Sequence, residues 1–443
     1  MTIRMDEGAA ELLDTLHRAG YAAYVVGGCV RDSLLGLTPH DWDLCTSALP
    51  QQGMELFGAE KCIPTGLQHG TVTVKQGDGL YEITTFRTEG AYTDGRHPDE
   101  VHFVPDVRED LARRDFTINA MAYNEKEGLV DPFGGQADLQ SGVLRAVGVP
   151  HQRFTEDALR ILRLYRFAAR FGFAIDPPTA QAAQELCAHL DCVSVERIEE
   201  ELAKLLSAPA PAAYLDEKIL GVVLPELSPE ALAAAKPVVD VCPAGEQALP
   251  VRLAALLLSL GEDGTRRTLR RLRCSNACIE ETAVLVREVV SGVPGAFSSD
   301  TNRAIPSPAL LPAATGSHPS GRSSEKLPAR PPVSLNIYTR KLLGQYGLKT
   351  VQRLAALVTA LQPERSADFA ALSELAERLD ADGVCCRVSQ LAVNGRDLMA
   401  AGVPAGPGIR KVLEALLDGV IREEYPNERQ ALLAAVHGNQ FSA

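Results

Sequence analysis

Residues 21–46, YAAYVVGGCVRDSLLGLTPHDWDLCT, constrain the fold more than any other stretch. A short apolar strand at residues 24–26 runs into Gly27-Gly28, and a helix start follows at Val30, Arg31 and Asp32. A turn at residues 36–39 leads to a second strand carrying Asp41, Trp42 and Asp43. Side chains alternate faces along a strand, so Asp41 and Asp43 point one way and Trp42 the other. Two adjacent carboxylates repel, and a hard divalent cation such as Mg²⁺ compensates oxygen ligands at this spacing. Gly28 admits a ligand close to the backbone, and the helix N-terminus after it favours phosphate. Arg31 adds a charged clamp. Alone, a D-x-D is usually a solvated loop and Gly-Gly is weaker still. In the order strand, Gly-Gly, helix, turn, D-x-D, they point to metal-dependent phosphoryl or nucleotidyl transfer.

Three later stretches bear on the same chemistry. Residues 69–74 alternate like a strand, Gly77-Asp78-Gly79 signals a hairpin turn, and residues 80–86 return. If this hairpin packs beside the D-x-D strand, Glu82 becomes a third carboxylate of the site; otherwise it is a polar strand residue facing solvent. In residues 109–122, EDLARRDFTINAMA, Arg114 can hold triphosphate oxygens in a bidentate fork. Asp115 and Asn119 can hydrogen-bond ribose hydroxyls, whereas a charged surface helix is the plainer reading of that block alone.

The third stretch, TEDALRILRLYRFAARFGF, begins at Thr155, a good helix N-cap, with Glu156 and Asp157 in the first turn. Ile161, Leu162, Tyr165 and Ala168 share one face, and Arg160, Arg163, Arg166 and Arg170 fan over the opposite side. Asp157 and Arg160 are three apart, so their tips are neighbours. An ordinary intrahelical ion pair is one reading. The other is base recognition: Asp accepts from cytosine N4 or adenine N6, and Arg donates to their ring acceptors. Guanine and uracil place a carbonyl against the Asp, and unpaired buried polar groups make that rejection steep.

These motifs resemble the nucleotidyltransferases that add CCA to tRNA, and their relatives the bacterial class II poly(A) polymerases. Residues 27–46 resemble the family signature, and residues 113–120 its RRDF(T)xNA block, which implies ribose discrimination by Asp115 and Asn119. Asp131 to Gly135 resembles DPFGG, which closes the catalytic head. Residues 156–160 resemble EDxxR, an amino-acid template, which implies that Arg163 and Arg166 also lie near the nucleotide. Ser194, Glu196, Arg197 and Glu201 resemble SxERxxxE, which braces the templating helix. The polar stretch 87–101, with Asp94, Arg96 and Pro98, resembles the flexible loop that implies addition of A as well as C. Leu258-Ser259 stand where some relatives carry a metal-dependent HD phosphohydrolase, so no such metal site is expected there.

The implied fold is an α/β nucleotidyltransferase head of the polymerase β type with a mixed sheet, followed by an all-α neck, body and tail. The expected boundaries are head 1–148, neck with the templating helix 149–210, body 211–296, a flexible Pro/Ser-rich insertion 297–333, and a tRNA-binding tail 334–443. The basic run at residues 266–273 offers a local RNA-facing surface, although a solvated helix face is the plainer reading. In the tail, turns at residues 394–397 and 406–408, a basic start at Arg410-Lys411 and a helix start at residues 426–428 resemble the Bacillus-type enzymes. Poly(A) polymerases of this superfamily typically end in a strongly basic tail, which this chain lacks.

Net charge of −13 argues against coating nucleic acid through bulk charge, but not against a local basic RNA surface. There is no run of 18 uncharged apolar residues for a membrane span, and the acidic amphipathic N-terminus does not read as a signal peptide. Ten scattered cysteines without paired metal spacing suggest reduced thiols and a cytoplasmic protein.

The implied reaction is attack of a tRNA 3′-hydroxyl on the α-phosphate of CTP or ATP. Asp41 and Asp43 would hold two Mg²⁺ ions, with Glu82 as a further catalytic carboxylate. Gly28, Arg31, Arg114, Asp115, Asn119, Asp157, Arg160, Arg163 and Arg166 would bind the nucleotide. No membrane and no stable protein partner is implied. The alternatives are a poly(A) polymerase, an enzyme that stops after two C's, or a non-catalytic RNA-binding protein with a decayed site.

Overall fold

The computed structural model describes residues 3–90, 101–292 and 334–438. The expected loop residues Asp94, Arg96 and Pro98 and the insertion at 297–333 lie outside these. The chain divides into two compact units, Met1–Glu226 and Leu227–Ala443.

The first unit opens with helix α1 (Glu7–Arg18), which buries Ala9, Leu12, Leu13 and Leu16 as the sequence periodicity predicts. Asp6 caps it, accepting from the Gly8 and Ala9 amides at 3.1 and 3.3 Å. Strand β1 (Ala23–Val26) is buried at all four positions, the mark of a strand covered on both faces. Then come α2 (Gly28–Leu34), β2 (Leu44–Thr46), α3 (Pro50–Phe57), β3 (Cys62–Gly66), β4 (Thr71–Gln76), β5 (Gly79–Thr85), β6 (Arg87–Glu89) and β7 (Val101–Phe103). Next are α4 (Val107–Ala112), β8 (Ala122–Asn124), β9 (Gly128–Val130), α5 (Gly135–Ser141) and β10 (Val143–Leu144). The unit ends with α6 (Pro150–Glu156), α7 (Leu159–Phe171), β11 (Ala174–Ile175), α8 (Pro177–Leu186), α9 (Val195–Leu206) and α10 (Glu217–Val223).

Seven strands form one mixed sheet in the order β3-β4-β5-β2-β1-β8-β9. Only the β2–β5 pairing among them is parallel. Val72, Val74, Tyr81 and Ile83 are buried on the face that α1 and α3 cover. The opposite face builds a core from Tyr24, Val26, Cys45, Phe86, Val107, Leu111, Ala120, Ala122 and Val147.

Several local expectations change. Asp41, Trp42 and Asp43 lie in irregular backbone before β2, not inside a strand. The chain is nonetheless paired there, since the Val26 amide donates to the Asp43 carbonyl at 2.9 Å. Helix α2 starts at Gly28, two residues earlier than expected. Strand β4 starts at Thr71, because residues 67–69 make a tight 3₁₀ turn closed by left-handed Gly70. The stretch 87–101 is bounded by the antiparallel pair β6–β7. The single helix expected from Thr155 is two helices broken at Asp157, whose φ of −146° and ψ of 102° are extended. Thr155 bonds back to the His151 carbonyl at 2.8 Å, and the Asp157 carboxylate instead accepts from the Leu159 amide at 3.0 Å.

The DPFGG stretch is a helix cap as well as a turn. Asp131 accepts from the Gly135 and Gln136 amides at 2.7 and 2.9 Å. A Cβ at Gly135 would lie 2.2 Å from the Thr117 carbonyl oxygen, so only glycine fits there.

The second unit is helical throughout its described residues. Helices Pro229–Val241, Leu249–Leu257, Gly261–Arg271 and Asn276–Val290 precede Leu335–Tyr346, Leu348–Leu361 and Ser366–Ala381. Three more, Gly395–Ala400, Pro407–Ile421 and Arg429–Gly438, close a core of Leu391, Val393, Leu398, Val412, Leu416, Val420 and Leu432. The stretch 394–397 is a helix start rather than a turn: Asn394 and Asp397 form a reciprocal capping box. No described helix is long and apolar enough to cross a membrane, and none of the ten cysteines is in a disulfide.

A buried polar chain ties α7 to the sheet half of the first unit. Arg31 Nη1 donates to Asn119 Oδ1 at 2.5 Å, and Asn119 Nδ2 donates to Asp115 Oδ1 at 3.1 Å. Arg163 Nε and Nη2 both donate to Asp115 Oδ2, at 2.9 and 2.7 Å. Burial pushes the Asp115 carboxyl up, but Arg163 and Asn119 outweigh it and the net is down, from 3.8 to about 2. The stability this group adds is therefore complete above about pH 4 and is lost as pH falls toward about 2. About 2 kcal/mol should disappear over that window. Urea unfolding of the wild type and Asp115→Asn at stepped pH checks this: the variant should be less stable at neutral pH and flatter below pH 4. An equally steep acid limb in the variant would contradict the assignment.

Candidate active site

The site assembles where β2 meets β5. Leu44 lies in register with Ile83, which brings Asp43, one residue earlier, beside Glu82. The carboxyl of Asp43 is accessible from outside yet crowded from within. Burial raises its pKa, and the charges of Glu82 and Asp41 push the same way, while Arg114 pulls it down. Asp41, Asp43 and Glu82 therefore feel one another across this cleft, and Arg114 is their counter-charge. Such a surplus of negative charge suits a divalent cation. Among the described residues no three His, Cys, Asp or Glu side chains gather closely enough to enclose an ion. A carboxylate pair is enough for Mg²⁺, which takes most of its shell from water and phosphate.

The glycine pair divides its roles differently from the expectation. Gly27 has φ of 77°, and a Cβ there would lie 2.9 Å from Arg114 Nη1. The positive φ requires glycine at position 27, with the end of Arg114 packed against it, while Gly28 has room and begins α2. Arg114 leans on this turn, held by Asp110 Oδ2 at 3.4 Å, and its buried Nε has no hydrogen-bond partner. Its side chain is 20% accessible, and a guanidinium beside the carboxylates suits an anionic ligand. Arg31 is placed otherwise. It is 4% exposed, donates to Asp32 and Asn119, and lies against Phe167 and Phe171 with its guanidinium carbon 5.2 and 5.0 Å from the ring centroids. It ties α2 to α7 as well as lining the turn.

Asp157 and Arg160 are neighbours without being each other's ion-pair partner. Arg197 on α9 grips Asp157 through both carboxylate oxygens, at 3.3 and 2.8 Å. Glu156 accepts from Arg160 at 2.8 Å, and Arg160 Nη2 also donates to the Arg113 carbonyl at 3.1 Å. The arginine side of α7 is not a solvent face. Arg160 and Arg166 are buried, and Glu201 receives Arg166 Nε at 2.5 Å and lies 3.6 Å from Arg163. Asp157 and Arg160 keep 14% and 11% of their side chains accessible. Each is thus fixed in place with a small part of its side chain left accessible.

Two positions stand out that the motifs did not single out, Asp110 and Arg153, and Glu156 of the EDxxR block gains a role. Asp110 is fully buried, and its two oxygens take Arg113 at 2.9 Å and Arg114 at 3.4 Å. Its spacing of three and four from those arginines was a usable signal. Glu156 acts as the seat of Arg160, again at a helical spacing of four. Arg153 also pairs with Glu156, at 2.5 Å. In the second unit, Arg266 of the basic run pairs with Glu262 and Glu280 at 3.0 and 2.5 Å, while Arg267 and Arg270 are exposed. Arg410 is exposed and bonds Glu414 at 2.8 Å.

Three family models match successive stretches of the chain. A family model described as the poly A polymerase head domain matches residues 23–145. A second, the probable RNA and SrmB-binding site of polymerase A, matches residues 172–230. A third, a putative tRNA nucleotidyltransferase domain 2, matches residues 336–436. The CCA-adding enzyme of Lactiplantibacillus plantarum is 35% identical over 435 residues, covering 96% of this chain and 95% of the relative. That of Geobacillus stearothermophilus is 34% identical over 442 residues, covering 96% and 95%. Among solved structures, the Bacillus stearothermophilus CCA-adding enzyme in complex with CTP matches with a TM-score of 0.76 and 29% identity, over 98% of both chains. A Thermotoga maritima CCA-adding enzyme complexed with tRNA shares the fold at 20% identity and a TM-score of 0.64. With relatives above 30% identical that match it nearly end to end, this chain belongs to the CCA-adding enzymes.

Proposed function

We propose that this chain adds C, C and A to the 3′ end of tRNA from CTP and ATP, without a nucleic-acid template, in the cytoplasm. The observation that carries this reading is the independent bracing of Asp157 by Arg197 and of Arg160 by Glu156. Neither side chain is spent on the other, and a carboxylate oxygen already holding one donor can accept a second. Held apart, Asp157 accepts from cytosine N4 or adenine N6, and Arg160 donates to the ring acceptors. Uracil and guanine would set a carbonyl against the Asp157 carboxylate, leaving two acceptors facing each other.

In the transfer, the tRNA 3′-oxygen bonds to the α-phosphorus, the bond to the β-phosphate oxygen breaks, pyrophosphate leaves and the hydroxyl proton passes to solvent. Arg114, across the Gly27 turn, binds the triphosphate and neutralises charge on the leaving group. Gly28 opens the backbone to the phosphates, and Arg31 keeps α2 aligned with α7. Asp115 and Asn119 border the ribose, while Arg163 and Arg166 fix the helix against Asp115 and Glu201. Asp41 and Asp43 would hold Mg²⁺, which when bound lowers the pKa of the hydroxyl and shields the phosphates. Glu82 completes the carboxylate field around Asp43.

A tRNA transcript lacking its CCA end, incubated with the protein, Mg²⁺ and labelled CTP and ATP, should gain three nucleotides. A ladder of A's from ATP alone would indicate a poly(A) polymerase, a stop after two C's a partial enzyme, and no extension a binding protein. Asp43→Asn should lower kcat by about 100-fold or more. Asp157→Ala should retain metal binding but lose discrimination against UTP and GTP by about tenfold or more in relative kcat/KM. Unchanged discrimination in Asp157→Ala would overturn the base-reading role.

A further inference from the structure

Asp110 is fully buried in α4, and the transfer described above gives it no task. Burial pushes its carboxyl up, but Arg113, Arg114 and the Arg87 amide outweigh it and the net is down, so the group is an anion at neutral pH. Oδ1 accepts from Arg113 Nε and Nη2, at 3.0 and 2.9 Å, and from the Arg87 amide at the start of β6, at 3.3 Å. Oδ2 accepts from Arg114 Nη2 at 3.4 Å. Each arginine leads to a different part of the site. Arg114 is ion-paired with Asp110, packs its Nη1 against the Gly27 turn and lends its charge to Asp43. Arg113 ends α4, and its carbonyl receives Arg160 Nη2 at 3.1 Å. The preceding carbonyl, of Ala112, receives Arg153 Nη1 at 3.2 Å, and Arg153 pairs in turn with Glu156, the seat of Arg160. One buried carboxylate thus underlies both the arginine beside the carboxylate cleft and the backbone on which Arg160 rests.

We propose that Asp110 is a positioning residue that registers phosphate binding with base reading: it aims Arg114 through an ion pair and Arg160 through the Arg113 carbonyl. This rests on the function proposed above. Arg114 stands among competing carboxylates. Its partner Asp110 is an anion held by other donors, so the guanidinium is tethered beside the cleft and its remaining donors stay open to phosphate. With the charge of Asp110 removed, the strongest attraction left to Arg114 is the field of Asp41, Asp43 and Glu82, which it would neutralise instead of meeting the nucleotide. Arg113 is tied at a spacing of three, which fixes the last turn of α4 and with it the direction of the carbonyl that Arg160 uses. Displacing a contact of this kind by about 1 Å can cost on the order of 100-fold.

Asp110→Asn keeps the shape and removes the charge, and calorimetric titration with CTP and with UTP reads its effect without turnover. The variant should bind CTP about tenfold more weakly than wild type and UTP about threefold more weakly, so that the preference for CTP narrows about threefold. In an Arg114→Ala background the same change should cost only the base-reading part, about threefold for CTP and nothing for UTP. Arg113→Gln, at a part-exposed side chain, gives a second test if Asp110→Asn does not fold: CTP should bind about threefold more weakly, with UTP unchanged. A folded Asp110→Asn variant that binds both nucleotides as wild type does would overturn the proposal, whatever its urea midpoint. So would a tenfold loss of CTP affinity that persists in full without Arg114, or an Arg113→Gln variant whose preference is unaltered. Wild type that binds CTP no better than UTP would instead defeat the base-reading function itself.

Discussion

The ion pair between Asp115 and Arg163 is the contact on which the rest of the site depends. Asp115 follows α4 in the sheet half, and Arg163 lies in the middle of α7. Their two hydrogen bonds, at 2.9 and 2.7 Å, join the sheet half to α7. A buried carboxylate left without its arginine would cost about 3–5 kcal/mol. The pair is therefore held from both sides, by Asn119 and Arg31 on one flank and Glu201 on the other. Removing any member leaves a neighbour short of a partner.

Charge is distributed in this molecule so that opposite tasks lie close together. Carboxylates crowd at Asp41, Asp43 and Glu82, with Arg114 as the counterweight. A few residues away, guanidinium groups crowd along α7 and are neutralised by Asp32, Asp115, Glu156 and Glu201. The net charge of −13 says little about either cluster, because charges beyond about 10 Å are screened at ordinary salt. What binds nucleotide is local arrangement rather than the sum.

Much of this was legible in the sequence because its signals are short-range. The amphipathic α1, the Gly77-Asp78-Gly79 hairpin that carries Glu82 beside Asp43, and the order of the motifs depend on neighbours within a few residues. The misplacements have equally physical causes. Asp157 reads as a first-turn helix residue, yet its side chain does better as a cap for Leu159, which breaks the expected helix in two. Its spacing from Arg160 suggested an ion pair, but Arg197, forty positions on, offers a bidentate grip that local periodicity does not reveal. Gly27 and Gly28 look alike in sequence; the positive φ of Gly27 and the approach of Arg114 distinguish them. Asp110 lay within reach of a spacing argument and was overlooked beside the more conspicuous arginines.

The central claim is that the sheet half and α7 form one nucleotide site through Asp115 and Arg163. A double-mutant cycle on CTP binding tests it most directly: Asp115→Ala, Arg163→Ala and the double variant, each titrated by calorimetry. The account predicts strong non-additivity, with the double variant binding about as weakly as either single one and a coupling energy of at least about 1 kcal/mol. Losses that simply add would contradict it, because the two side chains would then act on the nucleotide independently.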